Sequence, residues 1–204
     1  LTENADNNTD LGLTTSYPAI IKVGEESEEK WFAIFGSGPV NFEGTSDRHG
    51  HIFVVDLRIG VPCKNGTNDW LFETGDDMAF MATATSLDKG MNYNVDAIYI
   101  GETHDADPGA GYDWKGAMYK ITVPWECNEE PCNYGNTKNG KYSNNPTEWH
   151  PSKLFDSPGP ITASPVLSVD NLDNAWIFFG TGRYLNDDDK TNTDQQYIFG
   201  IKDP

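Results

Sequence analysis

The chain has 204 residues, 37% of them hydrophobic and 12% aromatic, and its 32 acidic and 14 basic residues give a formal net charge of −18. Such an acidic surface repels a phosphate backbone and an anionic bilayer, so we expect no nucleic-acid partner and no membrane insertion. No apolar run approaches the roughly 20 residues that cross a bilayer. The chain does not open on a signal peptide, so we expect any export signal to have been removed or to belong to a longer precursor.

A short aromatic and β-branched run that ends in glycine occurs three times, at residues 31–36, 97–101 and 176–180. Each copy is typical of a buried strand that ends in a tight turn. An apolar run of small and branched residues precedes each copy, and another strand-like run follows it after a polar loop. The preceding runs are residues 17–23, 80–85 and 162–169, and the following runs are residues 50–57, 116–123 and 195–203.

This repetition predicts an all-β fold, a partial β-propeller of about three four-stranded antiparallel blades. Candidate outer strands lie near residues 69–73 and 148–155. The predicted blades cover approximately residues 17–75, 78–156 and 160–204, after a flexible polar lead-in over residues 1–16. Because propellers close with roughly four to eight blades, another chain or a missing segment would complete the ring. An ordinary β-meander is the alternative.

Cysteine spacing predicts one disulfide. Cys127 and Cys132 lie close together in a polar excursion over residues 124–147, with proline before the second cysteine. A 127–132 bond would pin this loop and indicates an oxidising, extracytoplasmic setting. A zinc site is less favoured because no further ligands lie nearby. Cys63 would then be a buried, inert thiol or the partner of a cysteine in another chain.

The loop over residues 88–96 is the candidate calcium site. Oxygen-bearing side chains occupy its positions 1, 5, 7 and 9, the alternate spacing by which an EF-hand-like loop surrounds Ca²⁺. These residues are Asp88, Asn92, Asn94 and Asp96. The aspartates would supply charge, Asn92 a neutral oxygen and Asn94 its backbone carbonyl. Gly90 and Tyr93 depart from the usual pattern, and the alternative is a polar turn whose side chains cap local N–H groups.

Other polar groups have weaker signals. An acidic insertion contains His104, Asp105, Asp107 and Asp113, which could form a second metal site, although a solvated loop is the favoured interpretation. Residues 187–189 are predicted to form an acidic surface loop. Arg183 is expected to be a structural ion-pair partner between blades.

Several segments together resemble the β-propeller domain of PilC/PilY-type proteins, which are associated with the tips of bacterial type IV pili. The most specific are residues 180–185 (Gly-Thr-Gly-Arg-Tyr-Leu) and the closing strand at 195–203. Residues 160–165 match the entry to that blade, and the loop 88–96 runs into a matching strand at 95–101. The resemblance extends over roughly residues 17–203.

This resemblance implies a secreted or surface protein at the pilus tip that supports pilus assembly, counters retraction and mediates adhesion. It also implies Ca²⁺ bound in the loop that aligns with residues 88–96. Expected partners are other pilus or surface-protein chains, including one that supplies the missing blades, with a host or surface receptor as a further candidate.

No nucleophile–base set or phosphate loop has supporting context in the sequence, so we expect no enzyme. The alternatives are a propeller enzyme or carbohydrate-binding module with its site on the axial face, lined by loops 39–49, 102–114 and 183–194. A third possibility is a surface-filament subunit that pairs its open blade with a neighbour.

Overall fold

The computed structural model describes residues 10–25, 27–66, 68–107, 112–127 and 140–203. This part of the chain contains fifteen β-strands and no α-helix; its only helical turns are two short 3-10 segments. No helix among these residues is long and apolar enough to cross a membrane. The expected all-β class is therefore confirmed.

The first sheet is antiparallel throughout and is four strands wide. Its strands are β1 (Ala19–Val23), β2 (Lys30–Gly36), β3 (His51–Asp56), β4 (Val61–Pro62) and β5 (Phe72–Glu73). The short strands β4 and β5 both pair with β3, at different points along it. The central pair β2–β3 is rich in aromatic and β-branched residues, which favour the pleated conformation.

The middle sheet repeats this plan. The strands that follow in the chain are β6 (Ala79–Met81), β7 (Thr85–Leu87), β8 (Ala97–Asp105), β9 (Trp114–Thr122), β10 (Trp125–Cys127), β11 (Gly140–Tyr142) and β12 (His150–Ser157). β6 and β7 both pair with β8, and the order continues through β9 to β12. β10 and β11 form a separate two-stranded hairpin.

The last sheet has three antiparallel strands, β13 (Val166–Val169), β14 (Ala175–Gly180) and β15 (Ile198–Asp203). β14 is the central strand, and it corresponds to β2 and β8 because all three are the glycine-terminated aromatic runs of the sequence. The recurring run thus forms the second strand of each sheet.

Both faces of the middle sheet are buried. Successive side chains of a strand point to opposite faces, and those of β8 enter two different cores. Ile98 and Ile100 pack in the cluster that contains the first sheet. Ala97 and Tyr99 pack in the cluster that contains Ile177 of the last sheet. The middle sheet therefore lies between the other two.

The glycines at the end of the recurring aromatic run allow successive sheets to approach closely. A Cβ built on Gly36 would lie 2.0 Å from the Cβ of Met81 in the middle sheet, and one on Gly101 would lie 2.4 Å from Cγ2 of Ile161, which precedes the last sheet. Real Cβ atoms do not come this close, so any larger residue would push the sheets apart. At Gly180 the same construction meets only the Tyr197 carbonyl oxygen among the described residues, at 3.7 Å.

The two outer faces carry exposed apolar side chains. On the first sheet Ile20 and Trp31 are 52% and 48% exposed. On the last sheet Phe178 is 43% exposed and the neighbouring Val166 and Ile198 are 66% and 89% exposed. Large apolar groups on adjacent strands of one face are typical of a surface that contacts another protein element.

Two segments differ from the sequence-based expectation. β8 does not end at Gly101 but continues to Asp105, which places Glu102 and His104 in a sheet and not in a loop. The excursion 124–147 was predicted to be a loop, but its two ends pair as β10 and β11 and fully bury Tyr142.

Cys127 lies at the end of β10, whereas Cys132 is outside the described residues, so the 127–132 disulfide stays a prediction. Cys63 is a free, partly buried thiol, and burial raises its pKa. Residues 1–9 of the predicted lead-in are also outside the described part. Residues 11 and 13 form backbone hydrogen bonds with Gly38 and Pro39.

Candidate functional site

The predicted calcium loop connects β7 to β8 and is shaped by its own carboxylate groups. The Asp88 carboxylate accepts hydrogen bonds from the backbone N–H groups of Asn92, at 3.1 Å, and Tyr93, at 2.7 Å. Met91 and Tyr93 adopt positive φ angles of 49° and 67°, which non-glycine residues rarely do. The chain is thus curled tightly around Asp88.

The other end of the loop is anchored in the protein interior. Asp96 is 5% exposed; its Oδ2 accepts from the Lys89 N–H at 2.6 Å and its Oδ1 from the Tyr142 hydroxyl at 2.7 Å. The Asn94 side-chain oxygen accepts from the Gly24 N–H at 2.8 Å, at the end of β1. The loop is therefore held to the first sheet and to the β10–β11 hairpin.

The four predicted ligands lie in one compact loop and their chemistry fits Ca²⁺. Each carboxylate oxygen that accepts one hydrogen bond keeps a second lone pair for a cation. The Asn94 amide is turned towards Gly24, so only its backbone carbonyl remains for the site, as the sequence pattern requires. The capping hydrogen bonds of the alternative interpretation are also present, so calcium binding stays a prediction.

The last sheet has a smaller turn of the same design at the same place. Asp170 follows β13 and its Oδ1 accepts from the N–H groups of Leu172, at 2.8 Å, and Asn174, at 3.0 Å. Its Oδ2 accepts from the Trp176 indole at 3.0 Å. The Trp176 and Asn174 hydrogen bonds hold the pKa of Asp170 well below its usual range. In both sheets, an aspartate directly after the strand that precedes the glycine-terminated run therefore caps a turn.

A second cluster, the Asp76–Glu102–His104 cluster, lies at the boundary between the first and middle sheets. One potential ligand atom from each residue lies within 4.8 Å of the other two. Glu102 and His104 are two residues apart on β8 and therefore point to the same face. Asp76 comes from the segment that links β5 of the first sheet to β6 of the middle sheet.

Glu102 is the buried centre of this cluster. Its exposure is 0%, and its Oε1 lies 3.1 Å from His104 Nδ1. Its Oε2 is buried and has no hydrogen-bond partner among the described residues. Burial raises the pKa of Glu102, an effect that His104 and the Thr74 hydroxyl oppose and the nearby Asp76 carboxylate reinforces.

Asp76 has cationic and phenolic neighbours. Lys153 Nζ donates to Asp76 Oδ2 at 2.7 Å, and the Tyr119 hydroxyl donates to the same atom at 3.3 Å. Although burial acts in the opposite direction, the Lys153 hydrogen bond lowers the pKa of Asp76. Burial raises the pKa of Tyr119, with the Glu102 and Asp76 charges adding to the effect.

The structure groups His104 with other residues than the sequence suggested. Asp105, Asp107 and Asp113 do not join it; Asp105 Oδ1 accepts the N–H groups of Asp107, at 3.2 Å, and Asp113, at 3.0 Å, and so caps the β8–β9 turn. Glu102 was overlooked because the strand was expected to stop one residue earlier. Alternation along β8 was the signal that could have placed it on the face of His104.

Arg183 contacts segments of all three sheets, but its ion pair lies within one loop and not between blades as the sequence suggested. Its guanidinium lies 4.2 Å from the ring centre of Trp114 and pairs with Asp189, which is buried rather than at the surface. It also donates to the backbone carbonyls of Glu43 and Gly44. Residues 187 and 188 are exposed, as predicted.

No protein-family model matches the chain, but individual proteins and a solved structure do. Two proteins of Xylella fastidiosa (strain Temecula1 / ATCC 700964), each named type IV pilus biogenesis factor PilY1 homolog, are 26% and 25% identical over 98% and 95% of the chain. The chain spans 13% of the length of each of these curated relatives.

The fold matches a crystal structure of the Pseudomonas aeruginosa PilY1 C-terminal domain with a TM-score of 0.63 and 17% sequence identity. The match covers 98% of this chain and 39% of that one. The resemblance to PilC/PilY-type domains that the sequence motifs indicated is therefore confirmed: over nearly its whole length the chain is similar, in sequence and in fold, to PilY1-type proteins.

Proposed function

We propose that this chain is a segment of a PilY1-type β-propeller and that it acts, without enzymatic activity, in type IV pilus assembly and adhesion at the cell surface. The observation that carries the proposal is the repeated plan of the sheets. Each sheet has its glycine-terminated aromatic run as the second strand, and the middle sheet is packed on both faces. Face-to-face packing of successive antiparallel sheets is the arrangement of propeller blades.

In this proposal the three large sheets are three blades of a longer ring. The first two are four strands wide and the last has three strands among the described residues. The exposed apolar faces of the first and last sheets are the surfaces that further blades cover. The 39% share of the solved PilY1 domain that this chain matches leaves room for those blades.

We further propose that Ca²⁺ binds the loop of residues 88–96. The loop contacts Gly24 of the first sheet and Tyr142 of the hairpin. A cation bound by Asp88 and Asp96 would therefore fix the junction of these elements. The net charge of −18 favours cation binding in general.

The proposed setting is extracellular, as the predicted 127–132 disulfide also suggests. Partners are other pilus or surface chains, with a host or surface receptor as a further candidate. The names of both relatives, type IV pilus biogenesis factor PilY1 homologs, support this assignment.

The test is deletion of residues 17–203 from the intact protein in the bacterium that encodes it. We expect fewer surface pili by electron microscopy and weaker surface adhesion. Immunoblotting of the exported fraction checks that the shortened protein is present, and an exposed-loop variant, Phe42→Ala, should leave pili and adhesion unchanged. Normal piliation and adhesion with the shortened protein exported at wild-type amounts would contradict the proposal.

A further inference from the structure

We propose that the Asp76–Glu102–His104 cluster binds a transition-metal dication of the Zn²⁺ type and that this ion joins the first sheet to the middle sheet. The three side chains present an imidazole nitrogen and two carboxylates, with one donor atom of each within 4.8 Å of the others. The site is distinct from the predicted calcium loop and does not depend on the proposed function.

The buried carboxylate of Glu102 is the independent sign of a missing ligand. Buried carboxylate oxygens are ordinarily hydrogen-bonded or bound to a cation. Glu102 is fully buried, and its Oε2 makes no hydrogen bond of normal geometry within the described ranges, although the Thr74 hydroxyl and the Asp76 carboxylate lie close to the Glu102 carboxylate. A cation bound by this carboxylate would remove the cost of burying an unsatisfied charge at the sheet boundary.

The donor set selects the class of ion. Imidazole is a common ligand of Zn²⁺ and related first-row dications, whereas Ca²⁺ and Mg²⁺ prefer oxygen ligands only. Glu102 Oε1 and His104 Nδ1 are already 3.1 Å apart. Two ligands of a tetrahedral zinc ion lie about 3.4 Å from each other, so from a separation of up to 4.8 Å Asp76 needs to approach by at most about 1.4 Å to complete three protein ligands.

Lys153 is the competitor for this site. Its ammonium donates to Asp76 Oδ2 at 2.7 Å and so neutralises a carboxylate that a metal would bind. The Lys153 side chain is 33% exposed and also lies 3.1 Å from Asp156, an exposed carboxylate. The Lys153 side chain can therefore turn to Asp156 when a dication binds. The metal and Lys153 thus compete for Asp76.

The test is Zn²⁺ titration of the chelator-treated intact protein by isothermal calorimetry, together with thermal melting with and without Zn²⁺. We expect one site at which Glu102→Gln and His104→Gln each lower the affinity at least about tenfold. Lys153→Ala should raise the affinity because it removes the competing ammonium. His150→Gln, which alters an exposed histidine, is the matched control and should bind as the wild type does.

Melting of the metal-free variants shows whether they fold, and Glu102→Gln leaves no buried charge that would unfold the protein. Excess Ca²⁺ should not displace Zn²⁺ from this site. The proposal is wrong if the wild type binds no Zn²⁺ at about 100 µM. It is also wrong if Glu102→Gln and His104→Gln bind Zn²⁺ with wild-type affinity, or if His150→Gln lowers the affinity as much as they do.

Discussion

The environment of Glu102 is set by the packing of the first sheet against the middle sheet. It lies on β8, where it pairs with β6 on one side and with β9 on the other, and the first sheet covers it. The groups that face it are the His104 imidazole, the Asp76 carboxylate with its Lys153 partner, and the Tyr119 phenol. Without a metal, these neighbours do not offset the loss of water, because burial dominates the raised pKa of Glu102.

This raised pKa predicts a pH-dependent stability in metal-free protein. Above the ordinary value of 4.5 the unfolded chain is ionised at Glu102, while the folded protein retains the proton. The free energy of unfolding should therefore fall as pH rises from that value through the folded-state pKa. Glu102→Gln should abolish this part of the decline and raise stability at neutral pH by about 1 to 3 kcal/mol.

Urea unfolding in chelating buffer between about pH 4.5 and 8 measures this difference. The exposed Glu43, changed to Gln, is the control and should keep the wild-type slope. The prediction would be contradicted if the free energy of unfolding changed with pH in the same way in Glu102→Gln and in the wild type.

The sequence could not show the Asp76–Glu102–His104 cluster, because its members are brought together by sheet packing. Glu102 and His104 lie in a run of polar residues after Gly101, which looks like a strand-ending turn. The strand continues because β6 and β9 supply hydrogen-bonding partners on both sides. Asp76 joins only through the path of the inter-sheet connection. The four candidate ligands of the 88–96 loop, by contrast, are close together in the sequence and could be proposed from their spacing alone.

At the scale of elements, the aspartate-capped turns that follow β7 and β13 differ in size. The Asp170 turn closes within five residues, whereas the Asp88 loop spans nine and turns its backbone through two positive-φ residues. The Asp170 carboxylate is satisfied by the backbone N–H groups of Leu172 and Asn174, the Asn174 side-chain amide and the Trp176 indole. The longer loop adds a second carboxylate, Asp96, which is what a cation requires.

Calcium should therefore stabilise the protein through the longer loop only. For a dissociation constant of about 0.1 to 1 mM, typical of extracellular modules, 10 mM Ca²⁺ adds about 1.4 to 2.7 kcal/mol. That corresponds to a rise of about 3 °C or more in melting temperature. Asp88→Asn should lose this rise, whereas Asp170→Asn, the matched turn variant, should keep it. An equal rise in both variants would contradict calcium binding at the loop.

The strands themselves were largely predictable. β2, β8 and β14 follow from one recurring run of aromatic and β-branched residues that ends in glycine. The hairpin of β10 and β11 was not predictable, because Gly140 and Tyr142 lie in a polar, Asn-rich segment that hides the strand pattern. Gly140 is needed there because a Cβ would lie 2.0 Å from the Trp125 ring. This packing contact is not visible in a single segment.

At the scale of the whole molecule, each sheet packs on the next through the same kind of glycine contact. The glycine that ends β2 touches Met81 of the middle sheet, and Gly101 in β8 touches Ile161 at the entry to the last sheet. Ile161 also bridges to Gly182, which follows β14. Arg183, stacked on Trp114, holds loops from the three sheets together at one end.

The repeated glycine contact predicts that a further blade packs against the last sheet. Gly180 ends β14 as Gly36 ends β2, yet a Cβ there would have only one described neighbour, 3.7 Å away. If a further blade docks in the same manner in the intact protein, a side chain at this position would meet it. Gly180→Ala should then lower the free energy of unfolding of the intact protein by about 1 to 3 kcal/mol, the usual cost of overpacking.

Chemical denaturation of the intact protein with matched glycine variants measures this effect. Gly36→Ala, which meets Met81, should be destabilising. Gly75→Ala, where a Cβ has no described neighbour within 4 Å, should change stability by no more than about 0.5 kcal/mol. If Gly180→Ala behaves like Gly75→Ala, no blade lies against β14 and the open face of the last sheet, with Phe178 and Ile198, faces water. If it behaves like Gly36→Ala, the ring continues past this chain.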